Sequence, residues 1–328
     1  MSNALYPLKF DPVFQYRIWG GRNLEKYFSK PLPAGQPVGE AWILSDRKDF
    51  SSRVVNGSLQ GRTLTELMRD FHREIMGKRD NYLQSPLLLK FLDCRKVLSV
   101  QVHPSGFQAD EGESGKTEAW VVLETSAGSR IYAGLKRGTT RARLMQSLAG
   151  KKLPESLYSF VPEVNDGVFI RAGTVHTVQG AVIFEVQQNS DITYRLYDWD
   201  RMDPRTKKPR SLQVEKALEA IDFNQVEIGP VIPVKSSLVK NSEILFDSRY
   251  FKLWRIRTEE GFAAGFPDEP AILVCLEGSG KINFQDSDYS LEKGEVILLP
   301  ASIGPLVLQP GPFISLLQIT VPEKEKEV

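Results

Sequence analysis

Three histidines occur in the 328 residues, His72, His103 and His176, and two of them stand in segments whose residue types and spacing could hold a metal ion. In LSVQVHPS, Leu98, Val100 and Val102 alternate with Ser99, Gln101 and His103. That alternation places three polar side chains on one face of a strand, which Pro104 then ends. In GKTEAWVVL, Lys116 and Glu118 stand two apart at the mouth of an apolar strand and project from one face. In GVFIRAGTVHTV a glycine-rich turn leads directly to His176. Read singly, each segment has a plainer explanation. A half-exposed strand alternates in the same way, and an acid beside a base at a strand entry is often only solvated. His72, among charged neighbours in TLTELMRDFHREIMG, reads as a helix-surface residue.

Other polar residues within apolar runs leave two readings open. Glu185 in AVIFEVQQ is either an inward acid or the outward residue of its strand. Arg195 in TYRLYDWDR is either a cavity cation or the ion-pair partner of Asp198 or Asp200. Lys90 in LLLKFLD is either a buried amine or one that snorkels to water along its stem. Trp19, Trp42 and Trp120 read as core residues.

The elements that must position these residues are mostly strands. Twenty prolines and 25 glycines punctuate short β-type runs, the pattern of a sandwich or barrel. The runs are SRVVNGSL, LLLKFLD, LSVQVH, EAWVVLE, RIYAGL, GVFIRAG and AVIFEVQQ. Helical periodicity is confined to TLTELMRDFHREIMG, TTRARLMQSLAG and SLQVEKALEAI; in the first, Thr63 followed by Glu66 forms a capping-box pattern. Two prolines and a glycine in IGPVIPVK mark a boundary, which divides the chain into a catalytic unit, 1–230, and a smaller β unit, 231–328. VPEKEKEV reads as a charged terminus. A weak internal repeat accompanies the division: TEAWVVLE matches EPAILVCLEG, and NDGVFIRAGTVH matches KGEVILLPASIGP. The second copy carries Ala271 near the place of Glu118 and Gly304-Pro305 at that of His176, so it is expected to be metal-free.

Composition sets the outer bounds. A formal charge of +1 gives no basic field for nucleic acid. No apolar run approaches the roughly 20 residues that cross a bilayer, and MSNALYPLKFDP lacks a basic start followed by an apolar stretch. Cys94 and Cys275 lie inside apolar runs and read as buried, reduced thiols. A cytoplasmic setting is therefore expected, with no nucleic-acid or membrane partner. The oligomeric state is left at monomer or weak dimer.

Taken together, Gln-x-His, then Glu fifteen residues later, then Gly-Thr-x-His resemble the two cupin motifs, with Gln101 replacing one of the usual histidines. The resemblance implies a mainly β fold of two cupin-type jelly-roll barrels with a few inserted helices. Two imidazoles, one carboxylate and one amide oxygen suit a divalent ion of borderline softness, with positions open for catalysis. The ordered set KVLSVQVHPS, GKTEAW, AGTVHTV and FEVQQNSDITYRLYDWDR, preceded by WGGRNLEKYF and VGEAWILSDR, is similar to the type I mannose-6-phosphate isomerase family in its short bacterial form. The likeness covers at least residues 6–201. It implies one zinc ion per chain, held by Gln101, His103, Glu118 and His176. It places the family's active-site lysine on Lys116, its acid on Glu185 and its arginine on Arg195, and it associates Ser99 and Lys90 with the substrate's phosphate. Asn165 and Arg171 depart from the glycine and proline usual in cupin turns, and Arg171 is expected to add charge near the mouth of the site.

The implied chemistry suits these residues. Aldose–ketose interconversion removes a weakly acidic proton from carbon 2 and returns it to carbon 1 through an enediol. A base must stand within hydrogen-bond reach; Glu185 and Lys116 are the candidates, with Lys116 expected to be partly neutral from desolvation beside a metal. Arg195 can steady developing negative charge, and a phosphate handle lets remote binding energy orient the reacting carbons. The expected substrate is a small sugar phosphate. Competing readings are an isomerase of another sugar or sugar phosphate and a non-catalytic sugar-binding cupin; the latter needs no proton-transfer groups.

Overall fold

In the computed structural model, residues 5–109, 114–237 and 241–321 are described; the charged terminus beyond 321 lies outside them. Their strands form two nine-stranded sheets, and the mainly β architecture of two curled barrels with a few helices is present. The first sheet holds β1 (Val13–Gly21), β2 (Val38–Leu44), β3 (Leu87–Cys94), β4 (Val100–Val102), β5 (Glu118–Leu135), β6 (Leu157–Phe160), β7 (Gly167–Ile170), β8 (His176–Gln188) and β9 (Tyr194–Tyr197). Its pairing order is β9-β4-β8-β3-β2-β1, with β5 also on β8 and with β6 and β7 on β5. EAWVVLE and RIYAGL are thus one strand, irregular between Thr125 and Arg130.

The central strands are buried on both faces, which is why they read as near-continuous apolar runs. On β8, Val182, Phe184 and Val186 join a core shared with Phe251, Leu253, Ile272 and Leu317 of the second sheet. Ala181 and Ile183 face the interior of the first barrel instead. The same alternation gives Leu89 and Phe91 of β3 and Ala119 and Val121 of β5 to the shared core. Fully burying such side chains contributes about 1.5–3 kcal/mol each. The period of two then turns Glu40, Trp42, Lys90, Glu118, Trp120 and Glu185 toward the barrel interior.

The expected repeat is realised in register. Glu118–Val121 pair with Ile170–Gly167 as Ala271–Val274 pair with Leu299–Val296, so Ala271 occupies the place of Glu118. The turns preceding Gly167 and Val296 carry Asn165 and Gly294, both with positive φ, 77° and 82°; asparagine tolerates that conformation better than most residues. Leu8–Lys9 pair with Leu298 and Ile297, so the chain's start is tied into the second sheet.

All three expected helices form: α1 (Leu64–Met76), α2 (Arg141–Ala149) and α3 (Val214–Ala220). Thr63 caps α1 with both reciprocal bonds of the capping box. SRVVNGSL does not form a strand. Val54 and Arg53 make only isolated bridges, to Phe10 and Thr63, and residues 57–59 turn into a short 3-10 helix. The cause is Asn56, whose side chain takes the Lys9 N–H and donates to the Pro7 carbonyl, replacing ladder bonds with local ones.

Candidate metal centre and active-site cavity

His103, Glu118 and His176 arrive from three strands or strand ends and offer ligand atoms that all lie within 4.8 Å of one another, each residue buried. Among the described residues it is the only such group. His103 Nδ1 lies 2.9 Å from the Ile192 carbonyl and His176 Nδ1 lies 2.9 Å from that of Thr174. Both rings therefore carry the proton on Nδ1 and turn an Nε2 lone pair toward Glu118, as metal-ligating imidazoles do. Nε2 of His103 is 3.2 Å from Glu118 Oε2, and that of His176 is 3.4 Å from Oε1. Neither Glu118 oxygen nor His103 Nε2 has a hydrogen-bond partner of good geometry. Buried polar atoms are ordinarily satisfied, so His103 Nε2 and the two Glu118 oxygens converging on one point fit a cation, even with the Lys116 ammonium 2.9 Å from Oε2. Gln101 stands opposite His176 in the β4–β8 register and is turned with Nε2 toward that ring, 3.2 Å away, and Oε1 toward Ser99 Oγ. A half-turn of the amide exchanges the two atoms and brings the oxygen to the cluster.

Above this cluster opens a cavity of about 390 Å³, lined by Lys90, Ser99, Gln101, Lys116, Glu185 and Arg195 along with Arg17, Glu40, Asp191 and Arg210. Register explains the grouping. Trp42 faces Lys90, Lys90 faces Glu185 and Glu185 faces Trp120, a row across β2, β3, β8 and β5. A second row runs from Arg195 through Gln101 to His176.

The electrostatics of the row are unequal. Burial, then the charge of Glu118, push the Glu185 carboxyl up to about 7 against the pull of Lys116 and Lys90. Glu40 feels the same burial, but Arg17 and Lys90 outweigh it and hold its carboxyl at about 2. The Lys116 ammonium lies 2.9 Å from Glu118 Oε2. Burial pulls Lys116 down as expected from desolvation, and Glu118, Glu185 and Asp191 together raise it above its ordinary value. Glu118 is held well below the carboxylate range, burial being outweighed chiefly by the Lys116 ammonium. Burial lowers both His103, to about 3, and His176, which leaves neutral imidazoles.

Placement also resolves the open alternatives. Glu185 faces inward, because its neighbours Phe184 and Val186 take the shared core. Lys90 does not snorkel; it is 2% exposed, with its ammonium 3.4–3.8 Å from Asp191, Glu185 and Glu40 and 4.8 Å from the Trp42 ring centroid. Arg195 is not the partner of Asp198, which binds Arg201 and Arg210, nor of Asp200, which binds Lys151. It donates instead to Ser99 Oγ and the Ser211 carbonyl. Burial and the nearby Arg210 lower it to about 10. Arg171 lies away from this mouth, on a separate cavity with Phe246 and Tyr250. Sequence reasoning passed over Arg17 and Glu40, joined by two hydrogen bonds of 2.9 and 3.0 Å. It also passed over the indole donors: Trp42 Nε1 donates to Glu40 and Trp120 Nε1 to Glu185, at 2.7 and 2.8 Å. Spacing did carry a signal, since Glu40 and Trp42 stand two apart, as Lys116 and Glu118 do.

Residues 7–126 match the family model for the catalytic domain of type I phosphomannose isomerase, and residues 247–311 match that for the cupin domain of mannose-6-phosphate isomerase. A mannose-6-phosphate isomerase of Bacillus subtilis is 34% identical over 317 residues, covering 92% of this chain and 96% of the relative. One from Streptococcus mutans is 33% identical, covering 90% and 93% respectively. The crystal structure of a mannose 6-phosphate isomerase from Bacillus subtilis superposes with a TM-score of 0.87 at 29% identity, covering 96% of this chain and 99% of that one.

Proposed function

This chain belongs to the type I phosphomannose isomerase family and is an aldose–ketose isomerase, and from that premise we propose a zinc-dependent interconversion of mannose 6-phosphate and fructose 6-phosphate through an enediol. The observation that carries the proposal is the convergence of ligand atoms from His103, Glu118 and His176 within 4.8 Å of one another, beside a buried carboxyl poised near neutrality, Glu185. One zinc ion, held there by His103, Glu118, His176 and the amide oxygen of Gln101, would supply Lewis-acid polarisation of the sugar's oxygens.

The remaining roles belong to the chain's own side chains. Glu185, with a carboxyl near 7, takes the carbon-2 proton and returns it to carbon 1; a base with a pKa near the operating pH is the efficient one. Lys116 stays an ammonium and meets negative charge on the enediol oxygens. Arg195, whose guanidinium binds a hydroxyl and a carbonyl but no carboxylate among the described residues, stabilises anionic charge with Ser99 beside it. Ser99 and Lys90 line the same cavity and are proposed as the phosphate-side contacts. Lys90, already among three carboxylates, also orients Glu185. The division into a catalytic unit, 1–230, and a metal-free second barrel, 231–328, belongs to the same proposal, since no histidine follows His176.

A coupled isomerase assay on mannose 6-phosphate, with and without chelator, tests the reading. Activity is expected to vanish on chelation and to return with zinc. Turnover that survives thorough metal removal would exclude the metal-dependent proposal. Solvent deuterium appearing at carbon 2 during turnover is the mark of the enediol route.

A further inference from the structure

Trp120 touches both halves of the site with one side chain. It is fully buried, and the β5–β8 register sets it directly opposite Glu185. Its indole Nε1 donates to Glu185 Oε2 at 2.8 Å, while its ring stands edge-on to His176, centroids 5.5 Å apart and planes at 77°. The second oxygen of the same carboxyl, Oε1, faces the Lys90 ammonium at 3.6 Å. Packing alone does not require this arrangement, because a phenyl ring would fill much of the same space. The nitrogen is what distinguishes tryptophan here.

An indole N–H donates and cannot accept. In a neutral carboxyl the carbonyl oxygen is the better acceptor, so an N–H aimed at Oε2 selects Oε2 as the carbonyl and leaves the proton to Oε1. We infer that Trp120 is a positioning residue for proton transfer: its indole N–H fixes Oε2 of Glu185 and assigns Oε1 as the oxygen that takes and returns the sugar's proton. The inference rests on the reading of Glu185 as the acid–base group. It also gives the row across the sheet a division of labour. Trp120 anchors Oε2 by a hydrogen bond of 2.8 Å, whereas Lys90, 3.6 Å from Oε1, makes no hydrogen bond to it and leaves that oxygen free to carry the proton. Sequence reasoning placed Trp120 in the core; it is buried there and serves the site at the same time.

The charged groups facing Glu185 come from every strand packed against it: Glu118 and Lys116 from the β5 side, Lys90 from β3 and Glu40 from β2. None of them changes in Trp120→Phe, so the loss of the N–H can be read by itself. A donor to a carboxylate favours its charged form, so removing it raises the carboxyl's pKa. In the metal-replete full chain, Trp120→Phe is expected to lower kcat about tenfold with KM nearly unchanged. The acid limb of the kcat–pH profile should move up by about one pH unit. Benzothienylalanine at position 120, which keeps the bicyclic shape and lacks the N–H, should reproduce both effects even if the smaller phenyl ring loosens the core. Metal content should equal that of the unsubstituted protein in both. Unchanged kcat and acid limb in both substitutions, with Glu185→Gln inactive, would overturn the positioning role while leaving Glu185 as the base. Loss of metal from both would also overturn it, by showing that Trp120 acts through His176. Near-normal turnover in Glu185→Gln would remove the base itself, and the inference with it.

Discussion

Glu185 stores a conflict between stability and chemistry that can be measured without substrate. Its carboxyl sits at about 7, against an ordinary 4.5, because burial and the negative charge of Glu118 disfavour ionisation more than Lys116 and Lys90 favour it. A carboxyl whose folded-state pKa is raised binds its proton more tightly folded than unfolded. Its contribution is therefore intact below about 4.5 and declines as pH rises toward 7. At about 1.4 kcal/mol per pH unit, the displacement is worth roughly 3 kcal/mol above pH 7. Glutamine has the shape of the neutral acid and no proton to lose. In chelated protein, Glu185→Gln is accordingly expected to unfold at nearly the same denaturant concentration as the unsubstituted chain at pH 4.5. At pH 8 it should unfold at a distinctly higher one, the gap opening between those limits. The same substitution in metal-replete protein should lower kcat by about 10²–10⁴-fold. A stability gap that stays constant from pH 4.5 to 8, or a variant less stable than its parent at pH 8, would refute the account of a strained acid. The test separates site strain from general core damage, since a cavity or a lost contact would weaken the protein at every pH.

Other outcomes follow from the same geometry. Purified chain should carry one equivalent of divalent metal by elemental analysis, lost in His103→Ala and His176→Ala but kept in His72→Ala, whose position on α1 is remote from the cluster. Lys90→Ala should reduce kcat/KM on mannose 6-phosphate far more than on mannose, and should also lower the unfolding midpoint, because it removes a buried cation from beside Glu185 and leaves Glu40 with Arg17 alone; equal losses on both sugars would leave Lys90 without a phosphate role. Arg195→Ala, which breaks no ion pair with a carboxylate among the described residues, should lose rate while keeping its midpoint and slow exchange of the carbon-2 proton. Thr63→Ala should cost about 1 kcal/mol of stability through the lost cap on α1, with kcat untouched.

The grouping of His103, Glu118 and His176 was legible in the sequence because each of the three announces itself locally. His103 and Glu118 are polar residues at fixed parity beside apolar neighbours, and His176 follows a glycine turn. Parity within one strand is a short-range property, and it survives without knowledge of the partner strands. The surroundings of Lys90 were not legible in that way. Its three carboxylates come from positions 40, 185 and 191, and only the pairing of β3 with both β2 and β8 brings them to one amine. Snorkelling was a fair expectation for a lysine in a strand with one wet face; it fails because β3 is covered by the second sheet on one side and by the barrel interior on the other. The same double burial could have been inferred. LLLKFLD and AVIFEVQQ are apolar at both parities, which is the mark of a strand with no solvent face. In such a strand a charged residue cannot be an outward one, so Lys90 and Glu185 had to be paired with each other, with other buried charges or with a ligand. That step uses parity and apolar content alone, and it would have placed Glu40 of VGEAWIL, with Trp42 two residues on, inside the same site.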